Sequence, residues 1–308
     1  MIDNLRMFGF EALWSPYFFF VICAVTVVYL LFTGPYRYKI EGSKEVDRKT
    51  KAFFIFGMAL LYICKGGPLD LLGHLMFSAH MAQMALVYLA IPPLLILGTP
   101  PWMARLLIHQ KGIKPVFHFL TKPLIALLVF NGLFSLYHIP LVFDTVKTDM
   151  TLHAIISILL FIASFCMWWP LLNKLEEYQT LNGVKKIGYI FADGMLLTPA
   201  CALIIFADTS LYATYTDSQA WVNALALCVS PDVIQAMGAL APEMFNVLPP
   251  VEDQQLGGVI MKIIQEIVYG IILGYTFFRW AKKEREKDKK QEMELDAGYD
   301  ASSPISSQ

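Results

Sequence analysis

The sequence has little charge for its length. Only 16% of its 308 residues are Asp, Glu, Lys or Arg, whereas 56% are hydrophobic. A water-soluble domain carries charge on about a quarter of its residues, so most of this surface faces another solvent, which we take to be a lipid bilayer. The 24 Lys and Arg balance 25 Asp and Glu. This lack of a basic excess excludes the usual nucleic-acid-binding surface.

Paired cysteines and catalytic motifs are also missing. The five cysteines are scattered singly, without the CxxC spacing of a zinc site, a redox dithiol or a thiol copper clamp. We interpret them as packing residues. The motifs GxSxG, HExxH, GxGxxG and the P-loop are absent from plausible contexts. We therefore expect the protein not to be an enzyme.

Long apolar runs are what the sequence has in abundance. A helix needs about 20 apolar residues to cross the hydrocarbon core of a bilayer. The first such run lacks a basic leading region and a cleavage site, so we expect a span there and not a signal peptide. The sequence predicts an all-α integral membrane bundle of seven transmembrane helices, at approximately 16–34, 51–67, 74–97, 122–142, 151–171, 187–207 and 256–279.

The distribution of Lys and Arg predicts the direction of the bundle. Most of them fall in the first, third and fifth connections and in the tail after the last span. Short basic loops stay on the cytoplasmic side, so we expect the N-terminus outside and the C-terminus in the cytoplasm. The sixth connection, 208–255, contains Asp and Glu but no Lys or Arg, as expected of an external loop.

Two regions flank or interrupt the predicted seven-helix domain, which covers residues 1–282. Within loop 208–255, residues 218–228 and the stretch after Ser230 predict short helices, which we interpret as a cap over the outer mouth of the bundle. Residues 283–308 are rich in Lys, Glu, Ser and Asp. Such a composition cannot bury enough apolar surface to fold alone, so we expect a disordered charged cytoplasmic tail.

Four of the six histidines fall at one depth in this topology. His74 and His80 lie near the outer start of the third predicted helix, about 9 Å apart at 1.5 Å per residue. His138 lies at the outer end of the fourth helix, and His153 in the first turn of the fifth. A lone membrane histidine often makes only a helix–helix hydrogen bond. Four at one end of a bundle favour a shared metal or haem site, because intramembrane polar groups normally mark function.

Methionines accompany these histidines in the run GHLMFSAHMAQM. Met76, His80 and Met84 recur every four residues and are predicted to share a helical face, while His74 and Met81 share another. Imidazole combined with thioether sulfur favours Cu(I). The predicted metal ligands are His74, His80, His138, His153, Met81 and Met84, with Asp70, Asp149 and the pair Asp253 and Gln254 as candidate partners for the imidazole N–H groups.

Other polar side chains lie within the predicted spans. Lys262 and Glu266 are four residues apart and are interpreted as a mutually neutralising pair. A proton or ion pathway would use the same residue types, so a transporter that uses Asp193 and Glu266 is a further hypothesis. The remaining members of this set are Asn131 and Gln265.

Several of these motifs together resemble one known family. GHLMFSAHMAQM (73–84), PPLLILGTPP (92–101), YHIP (137–140), DMTLH (149–153) and DQQLGG (253–258) are similar to motifs of the CtaG family, the multi-span assembly factors of caa(3)-type cytochrome c oxidase. The resemblance covers residues 10 to 280. It implies maturation of a haem–copper oxidase in the bacterial plasma membrane, by helping to deliver copper to the catalytic subunit, and it places the four histidines in matching motifs.

Four hypotheses follow from the residues and the resemblance. In the first, the His/Met site binds Cu(I) and passes it to the oxidase catalytic subunit, which is the expected partner within the bilayer. In the second, two histidines are axial ligands of a haem. The third is the ion or metal transporter, and the fourth is a metal-free chaperone of the oxidase subunit in which the histidines only pack.

Overall fold

The computed structural model describes residues 5–236, 242–245 and 247–302, and within these ranges the chain forms helices and no strand. The α-helices, numbered in chain order, are α1 Gly9–Leu13, α2 Pro16–Thr33, α3 Arg48–Lys65, α4 Pro68–Leu75, α5 Phe77–Ala85, α6 Ile91–Gly98, α7 Pro101–Ile108, α8 Ile113–Leu120, α9 Pro123–Tyr137, α10 Pro140–Thr148, α11 Met150–Leu172, α12 Gly183–Ile205, α13 Ser218–Leu225, α14 Pro231–Ala236 and α15 Pro250–Ser302.

Five segments are long and apolar enough to cross a membrane: Arg6–Thr33, Phe77–Gly98, Met150–Leu172, Gly183–Ile205 and Pro250–Lys289. Two bent helix pairs add to this number if each pair forms one span, α3 with α4 at 40° and α8 with α9 at 82°. By length and composition the chain therefore has five to seven candidate spans. The all-helical membrane architecture predicted from the sequence is confirmed at that level.

The third predicted span is interrupted near its start. Met76 is extended, with φ −136° and ψ 138°, so α4 ends before it and α5 begins after it. His74 therefore lies on a different helix from His80 and Met81. The prediction that His74 and Met81 share a helical face is wrong, as is the inclusion of Met76 on the face of His80 and Met84.

A carboxylate from the last helix stabilises this break. Asp253 of α15 accepts hydrogen bonds from the backbone N–H groups of Phe77 and Ser78, at 2.8 and 3.3 Å, and from the Ser78 hydroxyl. The first N–H groups of a helix have no partner inside the helix, and an anionic side chain satisfies them well. The start of α5 is thus capped from a remote part of the chain.

Proline interrupts the same span at its other end. Pro92 has no N–H to donate to the Tyr88 carbonyl one turn earlier, and a turn of π-helix, Leu86–Ala90, precedes α6. The freed Tyr88 carbonyl accepts hydrogen bonds from the Ser164 hydroxyl and from Trp168 Nε1, the latter at 3.2 Å. These two side chains of α11 take the place of the missing intrahelical donor.

The fourth predicted span ends earlier than expected. Helix α9 stops at Tyr137, His138 is its C-cap and Pro140 begins the short helix α10. A residue before proline is pushed out of the helical region, which explains the turn at Ile139. We call the part of the bundle that carries His74, His138 and His153 the histidine end.

The connection after α12 covers the histidine end, as the sequence predicts. It contains α13 and α14 close to the expected positions. Trp221 and Leu225 of α13 are fully buried in an apolar cluster with Leu71 and Leu75 of α4 and with Phe8 near the N-terminus. We call residues 208–236 the cap.

The last helix extends past the predicted seventh span. Residues 283–302, predicted to be disordered, continue α15 as helix, and residues 303–308 lie outside the described part of the chain. Pairs such as Lys282 with Glu286 and Glu284 with Lys287, at 4.0 and 3.3 Å, stand one turn apart on this segment. Such pairs stabilise a solvated helix without any apolar burial, which the composition alone does not indicate.

Candidate metal-binding site

The structure places the four predicted histidines on four elements. His74 lies in α4, His80 in α5, His138 at the C-cap of α9 and His153 in the first turn of α11. The side chains of His74, His80 and His138 are at most 6% exposed, and His153 is half-buried. The rings of His74 and His153 are neighbours, and the rings of Tyr137 and Phe143 lie beside both His80 and His138. We call these four histidines the histidine row.

A small cavity lies at the centre of this row. His80 and His153 line it from opposite helices, together with Met84, Tyr137 and Lys65. Its volume is about 20 Å³, which is room for about one water molecule or one bare metal ion. The predicted pair of His80 and Met84, one turn apart on α5, therefore does face the same space.

Two of the residues that line this cavity have a ring nitrogen without a partner. Within the described residues, Nδ1 of His80 and Nδ1 of His153 are buried and have no hydrogen-bond partner. The other nitrogen of His80, Nε2, lies 3.4 Å from the Tyr137 hydroxyl. Leaving a buried polar atom unpaired costs about 1–3 kcal/mol. Two residues with such atoms at one cavity make this cavity the candidate ligand site.

His138 is held in a form that can bind a metal. Its Nδ1 lies 2.7 Å from the Phe134 carbonyl oxygen, which only accepts, so Nδ1 carries the hydrogen and Nε2 keeps its lone pair. That Nε2 is buried without a partner among the described residues. The rings of Tyr137 and Phe143 contact both His138 and His80, so His138 stands beside the cavity but does not line it.

His74 differs from the other three because its nitrogens are occupied. Nδ1 lies 3.4 Å from the ammonium of Lys147, and the ring also hydrogen-bonds to the backbone of Ala224 in the cap helix α13. Its ring centroid is 5.7 Å from that of His153. His74 thus ties the cap to α4 at the edge of the row.

The two predicted methionine ligands face different ways. Met84 lines the cavity, whereas Met81 is fully buried next to Gly257 of α15, where its Cγ lies 3.1 Å from the point that a Cβ on this glycine would occupy. Met81 therefore packs between α5 and α15. Met81 and Met84 are three residues apart on α5, so their side chains lie at different angles around the helix and contact different neighbours.

The carboxylates and amide predicted to orient the imidazoles make other bonds. Asp70 accepts from Lys65 at 2.8 Å and from Gln83 at 2.6 Å, and Asp149 caps α11 by accepting from the Leu152 N–H. Asp253 caps α5, as described above. Gln254 bonds to the backbone of the cap and of α12. All four are structural here.

Two lysines near the histidines, Lys65 half-buried and Lys147 buried, were not singled out by the sequence. Lys65 lines the cavity and is paired with Asp70. Lys147 of α10 is 1% exposed and donates to the Gly73 carbonyl at 3.2 Å. Burial, assisted by the positive charge of Lys65, lowers the pKa of Lys147 to about 7. The signal in the sequence is that Lys147 is a rare cation in an otherwise non-basic region.

Across the part of the chain that is described, no group of three or more His, Cys, Asp or Glu side chains comes close enough to hold a metal ion. The set that does meet at the cavity contains two imidazoles and a thioether, His80, His153 and Met84. Two nitrogens and one sulfur form a soft ligand set of the kind that Cu(I) accepts. Zn²⁺ usually takes four ligands and Mg²⁺ takes oxygen ligands in octahedral geometry, and this set supplies neither.

A second group of buried polar side chains lies deeper in the bundle. Asp193 of α12 accepts a hydrogen bond from Asn131 Nδ2 of α9 at 2.6 Å, and its other oxygen bonds to the Tyr269 hydroxyl of α15. Lys262 and Glu266 form the predicted ion pair, at 3.1 Å. These contacts join three helices.

The sequence also matches a known family along most of its length. The profile of the cytochrome c oxidase caa3 assembly factor family matches residues 27–283. The chain belongs to this family. The match includes all four histidines and both methionines of the predicted site, so the resemblance found in the motifs is confirmed. Membership in the caa3 assembly factor family indicates a role in assembly of the oxidase and not a known catalytic reaction.

Among curated proteins, the chain is similar to two mycobacterial proteins. They are Uncharacterized protein Mb0105 of Mycobacterium bovis and Uncharacterized protein MT0111 of Mycobacterium tuberculosis, each 21% identical over 264 residues, which is 80% of this chain. The aligned part is 36% of each relative, so the chain spans only about a third of their length. No solved structure shows significant similarity to the chain.

Proposed function

We propose that this caa3 assembly factor binds one Cu(I) ion in the cavity and passes it to the catalytic subunit of the oxidase, without catalysing a reaction itself. The ligands in this proposal are His80, His153 and Met84. The observation that carries it is the pair of buried, unpartnered Nδ1 atoms of His80 and His153 beside a space that fits one ion. Soft ligands favour Cu(I) over ions that prefer carboxylates.

The remaining predicted ligands have supporting roles in this proposal. His138, with its free Nε2 on the far side of Tyr137 and Phe143, is the next lone pair along the row and would receive the ion during transfer. Exchange between adjustable His and Met ligands permits release, whereas a closed site would trap the ion. His74 and Met81 hold the surrounding helices in place.

The proposal includes a membrane orientation. We infer seven spans in the bacterial plasma membrane, with the two bent helix pairs each forming one span, the N-terminus outside and the C-terminus in the cytoplasm. The support is the distribution of Lys and Arg, which are concentrated in the connections away from the histidine end and follow the positive-inside rule. The histidine end would then face outward.

The test is metal content by mass spectrometry on purified, Cu(I)-loaded protein, with an optical spectrum. Wild type should hold close to one copper per chain. His80→Ala and His153→Ala should each lose it, and Met84→Leu should bind it more weakly. Met81→Leu is the matched control, because it changes a buried methionine of the same helix that faces away from the cavity, and it should retain copper.

Other results would favour the other hypotheses. A Soret band in the purified protein would show haem in place of copper. Wild type that binds neither metal nor haem, in a strain whose oxidase still requires the protein, would leave the metal-free chaperone. Oxidase activity in membranes from cells that carry each variant should fall together with copper binding if the cavity is the delivery site.

A further inference from the structure

A groove lies on the surface between α12 and α15, and it shares no lining residue with the cavity at His80 and His153. It has a volume of about 350 Å³ and is lined by residues of these two helices, mostly apolar, among them Ile190, Phe191 and Met195 of α12. The charged side chains of Lys262 and Glu266 form part of its wall. The groove is open along one side, so in a membrane it faces lipid or another protein.

The carboxylate of the ion pair in this wall is only partly hydrogen-bonded. Lys262 donates to Glu266 at 3.1 Å and to Thr198 and Gln265, both at 3.3 Å, which uses the three hydrogens of its ammonium group. Glu266 has 67% of its side chain exposed. Its ionic partner among the described residues is Lys262, so most of the carboxylate still lacks donors.

Glu266 also lies at an unfavourable depth. It is close to the middle of the apolar stretch 256–279 of α15, and this holds whichever way the helix points. Hydrocarbon cannot hydrogen-bond to a carboxylate, and charged groups in spans normally face protein or water. An exposed carboxylate at this depth requires a donor from outside the chain.

Glycines continue the same face of α15. Gly270 and Gly274 follow Glu266 at intervals of four residues, and a Cβ built on either would meet nothing within 4 Å. The sequence here is the small-xxx-small pattern that lets two transmembrane helices approach closely. Lys262, Glu266, Gly270 and Gly274 thus form one stripe, which carries a charged acceptor and then an open, flat surface.

We propose that this groove docks a transmembrane helix of the oxidase under assembly, and that this helix presents a hydrogen-bond donor to Glu266. The inference deepens the proposed function and rests on it. A donor-bearing helix fits the available chemistry, because the groove offers an unsatisfied acceptor while its own cation is already used. A second copy of this chain in parallel would instead place like charges opposite each other.

Site-specific photo-crosslinking in cells that assemble the oxidase tests this. A photoreactive phenylalanine analogue replaces Met195, which lines the groove and is 61% exposed, or Ile158 of α11, which is 60% exposed on a different face. Products are mapped by peptide mass spectrometry. We expect Met195 to crosslink to a transmembrane helix of an oxidase subunit and Ile158 to give no such product.

Additional substitutions in the protein that carries the probe test whether the stripe is responsible for the oxidase crosslink. With the probe at Met195, Gly270→Leu should fill the docking face and lower the oxidase crosslink by about tenfold, and Glu266→Gln should lower it several-fold. Gly132→Leu is the matched control, since Gly132 of α9 also faces open space but is outside the groove. It should leave the crosslink unchanged, which also shows that a new leucine does not prevent folding.

The outcomes separate the two proposals. Products linked to lipid alone, or to a second copy of this chain, overturn the docking surface even where cells that lack the protein fail to assemble the oxidase. Equal oxidase products from Met195 and Ile158 overturn it as well. If cells that lack the protein assemble the oxidase normally, the proposed function fails, and the docking proposal fails with it.

Discussion

Two groups of buried polar side chains lie within the bundle, and they differ in how fully they are hydrogen-bonded. In the deeper group, both oxygens of Asp193 are bonded, one to Asn131 and one to Tyr269. In the row at the histidine end, three of the four imidazoles each keep a buried nitrogen without a partner in the described chain. Both groups are costly to bury. The Asp193 carboxylate recovers its cost within the protein, although Asn131 Oδ1 beside it is also buried without a partner in the described chain.

This difference separates structural from functional polarity. Polar groups that bond to each other join helices, as the Asp193 carboxylate does for α9, α12 and α15. Polar groups that stay unsatisfied beside a cavity lower stability and persist where a ligand completes them. Burial and residue type alone would rank the two groups equally, whereas the hydrogen bonds distinguish them.

The largest effect is expected at the cap of α5, which adjoins the histidine row and is fully bonded. Asp253→Ala removes the acceptor for two backbone N–H groups and one hydroxyl. The free energy of unfolding in mixed micelles should fall by about 3 kcal/mol. Asp149→Ala removes an exposed cap with one bond and should cost only about 1 kcal/mol. Equal losses of unfolding free energy in the two variants would show that burial does not strengthen the Asp253 cap.

Breaking the deeper group should cost somewhat less. Asp193→Leu leaves the Tyr269 hydroxyl and the Asn131 amide without their acceptor and should lower the free energy of unfolding by about 2 kcal/mol. Asp193→Asn retains an acceptor and should cost less. Oxidase assembly in cells should survive Asp193→Asn, and its loss in a variant that is stably inserted would favour an ion-coupled transporter.

Within the histidine row, stability and copper binding should respond in opposite ways. His74→Leu removes bonds to Lys147 and to the cap and should cost about 1–2 kcal/mol, with copper retained. His153→Leu removes a ring whose Nδ1 is unpartnered and should change stability by less than about 0.5 kcal/mol while abolishing copper binding. Parallel unfolding and metal measurements on both variants check this, and a crossed result would reverse the assignment.

An exposed ion pair gives the smallest effect and sets the scale for the buried groups. Glu177 bonds to Arg105 at 2.8 and 3.0 Å, and this hydrogen bonding lowers the pKa of the Glu177 carboxyl to about 2. A lowered carboxyl pKa stabilises the fold above the ordinary value near 4.5, and that stabilisation is lost as the pH falls toward 2.

Both partners of this pair are more than a third exposed, so solvent limits its contribution to less than about 1 kcal/mol. The difference in unfolding free energy between wild type and Arg105→Gln should therefore be small at about pH 7 and largely vanish as the pH approaches about 2. A difference that persists there would show that Arg105 stabilises the fold by packing instead.

Composition and apolar runs were sufficient to predict an all-helical membrane architecture, because each span requires one long, continuous apolar stretch of sequence. The pair of His80 and Met84 was predictable for the same reason, since both lie within one uninterrupted helix. What local patterns could not reveal were contacts between remote segments. The helix break at Met76 depends on the carboxylate of Asp253. The bonds that occupy the His74 ring depend on Lys147 and the cap.

The sequence also left the rotation of each helix undetermined. Depth placed four histidines together, but rotation decides that Met84 faces the cavity and Met81 faces α15. The helical tail shows a different limit, because its composition is equally typical of disorder and of a solvated helix with charge pairs. Of the stripe from Lys262 to Gly274, the sequence predicted the ion pair of Lys262 and Glu266. It did not indicate that Gly270 and Gly274 continue the same face.

The interrupted span Phe77–Gly98 has a consequence for the order in which the protein is made. Its Tyr88 carbonyl is satisfied by Ser164, 76 residues later, and its first N–H groups by Asp253, 176 residues after Phe77. A bilayer offers no substitute for these partners. We therefore expect this segment to gain its full set of hydrogen bonds only after the last helix has been synthesised.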